Sequence, residues 1–290
     1  MLPRGADRPD MAGHECPPGS WCTGGNENEC SVGTFGPTAR AYDEGDFCFP
    51  CPPGFDCSTE TGIALYEQYP CPGGKYCSVE NDYAPTPCTE GTYYNKLRGI
   101  APGSCYQCPE GYYCGGGSTN PIQCRSGHIC PIGTVGEVPC PRGTYNPYPN
   151  SHRIQDCLRC PAGHYCAEGS TVPVPCEPGK YNPYQGASDS SSCYPCLAGY
   201  ACVGMGTVKP YVLCEIGYYC EENYDVDPPV GANLPIQVPC PPGTVGNVYG
   251  AYSVTQCDPC PPGFACGYGT NYVDSPPQEC PAGYYCPVGT

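Results

Sequence analysis

Apolar positions in this chain are tied to cysteine rather than to a long period. Ten short elements follow C-P-x-G-x-x-C in strict or relaxed form, beginning at Cys16, Cys51, Cys71, Cys108, Cys124, Cys160, Cys196, Cys214, Cys260 and Cys280. Gly stands three residues after the first cysteine in all ten, and Pro follows that cysteine in seven. In nine of them an aromatic occupies one or both places before the second cysteine, the exception being GHIC at 127–130. No apolar run approaches the roughly 18 residues of a membrane-spanning helix. The pattern predicts turns and short β-hairpins, with almost no helix. Cys-Pro-x-Gly reads as a type I turn, with Pro presetting φ at the second place and Gly at the fourth. The turn sends the next aromatic back over a disulfide, a compact apolar unit in place of a core. Tyrosine suits such a site because its ring packs while its hydroxyl reaches water.

A second, longer element alternates with the first. It runs Cys30–Cys48, Cys88–Cys105, Cys140–Cys157, Cys176–Cys193 and Cys240–Cys257, and each again has Gly three residues after its first cysteine. Two residues separate each long element from the next short one. The cysteines then divide into blocks of even count, each able to close its own bonds. The expected organisation is a non-repeat segment 1–15, a partial module 16–50, six-cysteine modules 51–107 and 108–159, a four-cysteine module 160–195, a six-cysteine module 196–259, and a truncated module 260–290. The fold class expected is small and disulfide-rich: a linear array of cysteine-rich modules in which each touches mainly its neighbours.

Composition sharpens this. Leu, Ile, Val and Phe number 37 of 290 residues, too few for a conventional core, while Gly and Pro number 40 each. Without cross-links such a chain would not offset its conformational entropy. Thirty cysteines can supply those cross-links and point to an oxidising compartment, so the protein is expected to be extracellular or at the cell surface. The net charge of −16, with no basic stripe, argues against nucleic acid and anionic membrane as partners, and no direct membrane insertion is expected in this segment. The start carries no apolar secretion signal, and CPAGYYCPVGT stops where another repeat would continue. The sequence is therefore expected to be a segment of a longer protein.

Spacing alone does not fix cysteine pairing, since six cysteines allow fifteen arrangements. If Cys176–Cys193 and Cys140–Cys157 each close a long loop, Cys160 pairs with Cys166. The rival crosses over, with Cys140–Cys160 and Cys157–Cys166. The reading preferred here is the long-loop set: Cys30–Cys48, Cys88–Cys105, Cys140–Cys157, Cys176–Cys193, Cys240–Cys257, and Cys160–Cys166.

The run CPRGTYNPYPNSHRIQDCLRCPAGHYC at 140–166 resembles the ephrin-receptor-like cysteine-rich repeat, a relative of the tumour necrosis factor receptor module. The resemblance spans residues 16 to 286. Long uninterrupted arrays are similar to those of algal and other protist surface proteins, including the flagellar-hair (mastigoneme) proteins. What the resemblance implies is structure rather than signalling.

Chemistry-bearing motifs are scarce. A zinc site would use Cys-x-x-Cys pairs, often with His. Here a third cysteine always follows the pair, and His14, His128, His152 and His164 share no period. No catalytic fingerprint is present, so an enzyme is not expected, nor a cofactor or metal. The acidic stretches YDEGDF at 42–47 and EENYDVD at 221–227 do not match an EF-hand loop and read as solvated. No N-glycosylation sequon exists, and Ser188, Ser190, Thr86, Thr171 and Ser275 are candidate sites for O-linked glycans. The function expected is a structural, non-enzymatic subunit that forms a homo-oligomer or homopolymer: a surface fibre, flagellar hair or coat. The competing class is a receptor or adhesin ectodomain that binds a protein ligand.

Overall fold

A computed structural model of the chain describes residues 16–23, 26–41, 43–222 and 237–290. The segment 1–15 and most of the acidic stretch 221–227 lie outside these. The chain is a modular array rich in disulfides, with almost no helix. By contact it divides into two units, Met1–Val138 with Pro149–Arg153, and Pro139–Tyr148 with Ile154–Thr290.

The local unit of both is a single cysteine element. Every one of the fifteen glycines at the fourth place of an element has a positive φ, between 77° and 93°. The turn is set one residue later than Cys-Pro-x-Gly implies. It closes from the residue after Gly to the residue after Cys, as in Tyr112 N–H to Pro109 O (3.2 Å) and Thr144 N–H to Pro141 O (3.1 Å). Gly is thus the third residue of the turn. A positive φ there is the demand of a type II turn, which corrects the type I reading. At several of these places the glycine is also needed for space, though not at Gly263 or Gly283. A Cβ at Gly74 would lie 2.2 Å from the carbonyl oxygen of Gly117, and one at Gly163 would lie 2.1 Å from that of Gly206.

After all but two of these turns, those at Gly54 and Gly283, the chain forms a short strand, usually of two residues, that pairs with the strand ahead of the next element. Thirteen two-stranded sheets result among the described residues. Tyr112–Tyr113 pairs antiparallel with Ile122–Gln123, and Lys180–Tyr181 with Tyr194–Pro195. In long elements the partner strand is the two-residue link between cysteines, as at Tyr194–Pro195. A short helical turn stands just before the second cysteine of each long element, for example Ile154–Asp156 and Ser190–Ser192.

Backbone bonds tie each element to the one that follows. In the first unit Gly111 O accepts from Cys124 N–H (2.9 Å), Gly111 N–H donates to Cys130 O (2.9 Å), and Cys108 O accepts from Gly133 N–H (2.8 Å). In the second, Gly163 O accepts from Cys176 N–H (2.8 Å), Gly163 N–H donates to Asn182 O (2.7 Å), and Cys160 O accepts from Gly186 N–H (2.8 Å). Gly133 and Gly186 belong to a second series of left-handed positions, found in most elements among the described residues. It includes Arg40, Gly62, Arg98, Gly117, Asn150 and Gly206 as well, and φ across these eight runs from 60° to 82°.

Sulfur forms most of the interior. Of the apolar residues buried among those described, 26 are cysteines and only nine are not. Aromatics do lie on disulfides: Phe55 against Cys51 and Cys57, Tyr218 against Cys214 and Cys220, Phe264 against Cys260 and Cys266.

Candidate assembly surface

All cysteines are bonded. Each long element closes on itself, through Cys30–Cys48, Cys88–Cys105, Cys140–Cys157, Cys176–Cys193 and Cys240–Cys257. Each short element does likewise, Cys160–Cys166 included, so neighbouring pairs do not cross.

The seventh place of an element reveals how long and short forms share one frame. In short elements it is the second cysteine. In long ones it is Gly36, Tyr94, Asn146, Asn182 or Gly246, and its amide makes the same bond to the next element. Cys166 N–H donates to Ala187 O and Asn182 N–H to Thr207 O, both at 2.9 Å. Asn146 and Asn182 are fully buried, and their Oδ1 atoms accept from the amides of Tyr148 and Tyr184, each at 3.0 Å. Asn182 Nδ2 also donates to His164 O (3.1 Å). Asn-Pro-Tyr is therefore a turn with a buried amide at its start and an exposed ring at its end. Tyr148 and Tyr184 are 66% and 65% exposed.

That outward display dominates the second unit. Among the described residues, Tyr106 is the exposed tyrosine of the first unit, whereas the second exposes Tyr148, Tyr184, Tyr194, Tyr211, Tyr249 and others. A concave site of about 530 Å³ lies within the stretch from Ala201 to Val212. Met205 and Tyr211 line it at 70% and 78% exposure, with Val203, Val208 and Lys209 beside them.

The candidate glycan sites are scattered. Thr171, Ser190 and Ser275 are exposed, while Thr86 and Ser188 are half-buried. SDSSS is a capped turn: Asp189 caps the helical turn Ser190–Ser192 and accepts from the Ser191 amide at 3.0 Å. The Ser191 hydroxyl, then the Ser188 hydroxyl and the Ser191 amide, hold the Asp189 carboxyl below its ordinary range. Two carboxylates of YDEGDF are likewise engaged. Asp43 caps the helix Glu44–Phe47, and Glu44 accepts from the Ser31 hydroxyl. His152 Nε2 lies 3.2 Å from Glu110, and the Nδ1 atoms of His128 and His164 each lie 3.1 Å from a backbone carbonyl two residues back. No group of three or more His, Cys, Asp or Glu among the described residues is arranged to hold a metal ion. No helix among them is long and apolar enough to cross a membrane.

One recurring feature is not apparent from the cysteine pattern. A Ser or Thr follows the second left-handed glycine in several elements, and its hydroxyl donates to the carbonyl three residues earlier. Examples are Ser118 to Gly115 (2.7 Å), Ser170 to Ala167 (2.7 Å), Thr207 to Gly204 (2.9 Å) and Thr270 to Gly267 (2.9 Å). The signal in the sequence is Gly-Ser/Thr, nine to ten residues after the first cysteine of the element.

No protein-family model matches the chain, and no curated protein matches it.

Proposed function

We propose that this chain is an extracellular or cell-surface structural protein, a subunit that self-associates into a fibre, flagellar hair or coat and has no enzymatic role. The observation that carries the reading is the outward array of tyrosines on a frame whose cysteines are all engaged within their own elements. Such staples resist unfolding and proteolysis where a core this small would not. With no thiol free, contacts between copies fall to exposed rings and aliphatic side chains, the residue types that give large contact area at low entropic cost. O-linked glycans on Thr171, Ser190 or Ser275 are compatible with this surface.

A second reading, a receptor or adhesin ectodomain, is favoured by the apolar concavity at 201–212, where a protein ligand could seat. Electron microscopy of the native, non-reduced protein over a range of concentrations separates the two. Regular filaments with a repeating subunit support the fibre. Isolated particles at every concentration remove it and turn the search to a ligand.

A further inference from the structure

Two tyrosine trios stand in long elements; Tyr93 matches Tyr181 and Tyr106 matches Tyr194, while the third ring is Tyr94 at the seventh place of one and Tyr184 at the ninth of the other. In the second unit Tyr194 has Tyr181 at 6.1 Å and Tyr184 at 6.4 Å between ring centroids. In the first, Tyr106 has Tyr93 at 5.9 Å and Tyr94 at 6.0 Å. Tyr106 and Tyr194 each follow the second cysteine of a long element, and both are exposed. The same place holds Phe49 after Cys48, and Phe35 faces it at 6.1 Å with a 48° interplanar angle, the same values as Tyr181 and Tyr194. Leu158 and Asp258 hold the place in the other two long elements, so packing there does not require a phenol. Nor do the hydroxyls of Tyr181, Tyr184 and Tyr194 make a hydrogen bond among the described residues. These three phenols are surplus to the fold.

We infer that each trio is a site of oxidative coupling, at which Tyr194 joins Tyr181 or Tyr184, and Tyr106 joins Tyr93 or Tyr94, into an intrachain dityrosine. The co-reactants are a haem peroxidase and hydrogen peroxide. Each phenol gives one electron and its hydroxyl proton to the oxidised haem. The two phenoxyl radicals join through ring carbons ortho to oxygen, and each of those carbons returns its hydrogen to its own phenol oxygen as a proton. Two hydrogens are lost in all, and with peroxide they leave as two waters. Neighbouring rings convert a bimolecular coupling into an effectively unimolecular one, so the trios outcompete lone tyrosines such as Tyr211 in dilute solution. The exposed ring of Tyr184 sits on a turn and can rotate towards its partner. Such a bond would add a staple that a reducing environment cannot open, and it does not depend on whether copies associate.

The test treats dilute, native, non-reduced protein with a plant-type haem peroxidase and hydrogen peroxide. The expected result is dityrosine fluorescence in a chain that still runs as a monomer on a reducing gel. After reduction, trypsin should leave the peptides either side of Lys96 and Arg98 joined. Cleavage at Asp189 should leave Tyr184 or Tyr181 joined to Tyr194. Tyr194→Phe should lose the second cross-link alone, Tyr106→Phe the first alone, and the double variant both; Phe49 shows that the fold accepts that ring. Fluorescence unchanged in the double variant, coupling only between chains, or no dityrosine at all would each overturn the assignment.

Discussion

Two loops at the same place in the repeat behave in opposite ways. Residues 58–70 and 203–213 each follow a short element, and each is anchored by a left-handed glycine whose amide donates to a cysteine carbonyl: Gly62 to Cys30 (3.0 Å) and Gly206 to Cys176 (2.8 Å). The next residue differs. Thr207 turns its hydroxyl back on the carbonyl of Gly204 and leaves Val208 and Tyr211 facing out. Ile63 takes the place of that Ser or Thr, is 3% exposed, and packs with Phe55 and the Cys51–Cys57 bond. Tyr66 then stands edge-on to both Phe35 (4.6 Å) and Phe55 (4.7 Å). The backbone frame is therefore indifferent to what a loop does. One side chain after the anchor decides whether the loop builds a small core or offers an apolar surface.

The comparison can be broken most forcefully at Ile63. Ile63→Ala should cost about 2–5 kcal/mol of local stability, the usual range for truncating a buried aliphatic side chain. Native-state hydrogen exchange should report it at the Gly36 amide, which donates to Ile63 O (2.9 Å). Val208→Ala, in the open loop, should shift stability by no more than about 0.5 kcal/mol. Tyr66→Leu should come next, losing about 0.5–1.5 kcal/mol for each edge contact beyond buried area, read as the amount by which denaturant-induced exchange moves to lower concentration. Met205→Ser with Tyr211→Ser should leave thermal stability within about 0.5 kcal/mol while weakening self-association in sedimentation velocity. Weakened thermal stability with unchanged association would mean that the open loop is structural after all.

The smallest effect concerns Tyr69, whose hydroxyl donates to Glu60 at 2.8 Å. That hydrogen bond, with the negative charge of Glu60, raises the phenol above its ordinary 10.0. A folded-state value above the unfolded one gives stability that is complete below the unfolded pKa and lost as pH rises through the folded one. Both groups meet solvent, so the contribution is slight. Tyrosinate absorbance should show one phenol ionising late, and Tyr69→Phe should remove that late step.

Much of this architecture was legible in the sequence, because cysteine spacing and the shortage of aliphatic residues leave few other folds. Turn position was not. Pro after cysteine suggested a turn beginning at Cys, and the hydrogen bond from Tyr112 to Pro109 starts it one residue on. The second left-handed position was hidden because Arg40, Arg98 and Asn150 hold it as well as glycines do. The inward turn of Ile63 was hidden because the cluster it joins also draws on Phe35 of the preceding element, and no spacing rule connects them. The tyrosine trios needed the strand register, Tyr181 opposite Tyr194, before they could be seen.

The seventh place of the element carries a consequence of its own. Because Cys166 and Asn182 make equivalent backbone bonds, the joint between elements does not consult the identity of what it joins. A gene encoding such a chain can lengthen or shorten by whole duplications, each new copy docking on its predecessors with no matching mutation elsewhere. Size then becomes a property that drift and selection can adjust in fixed increments, as a mason adjusts a wall by the course.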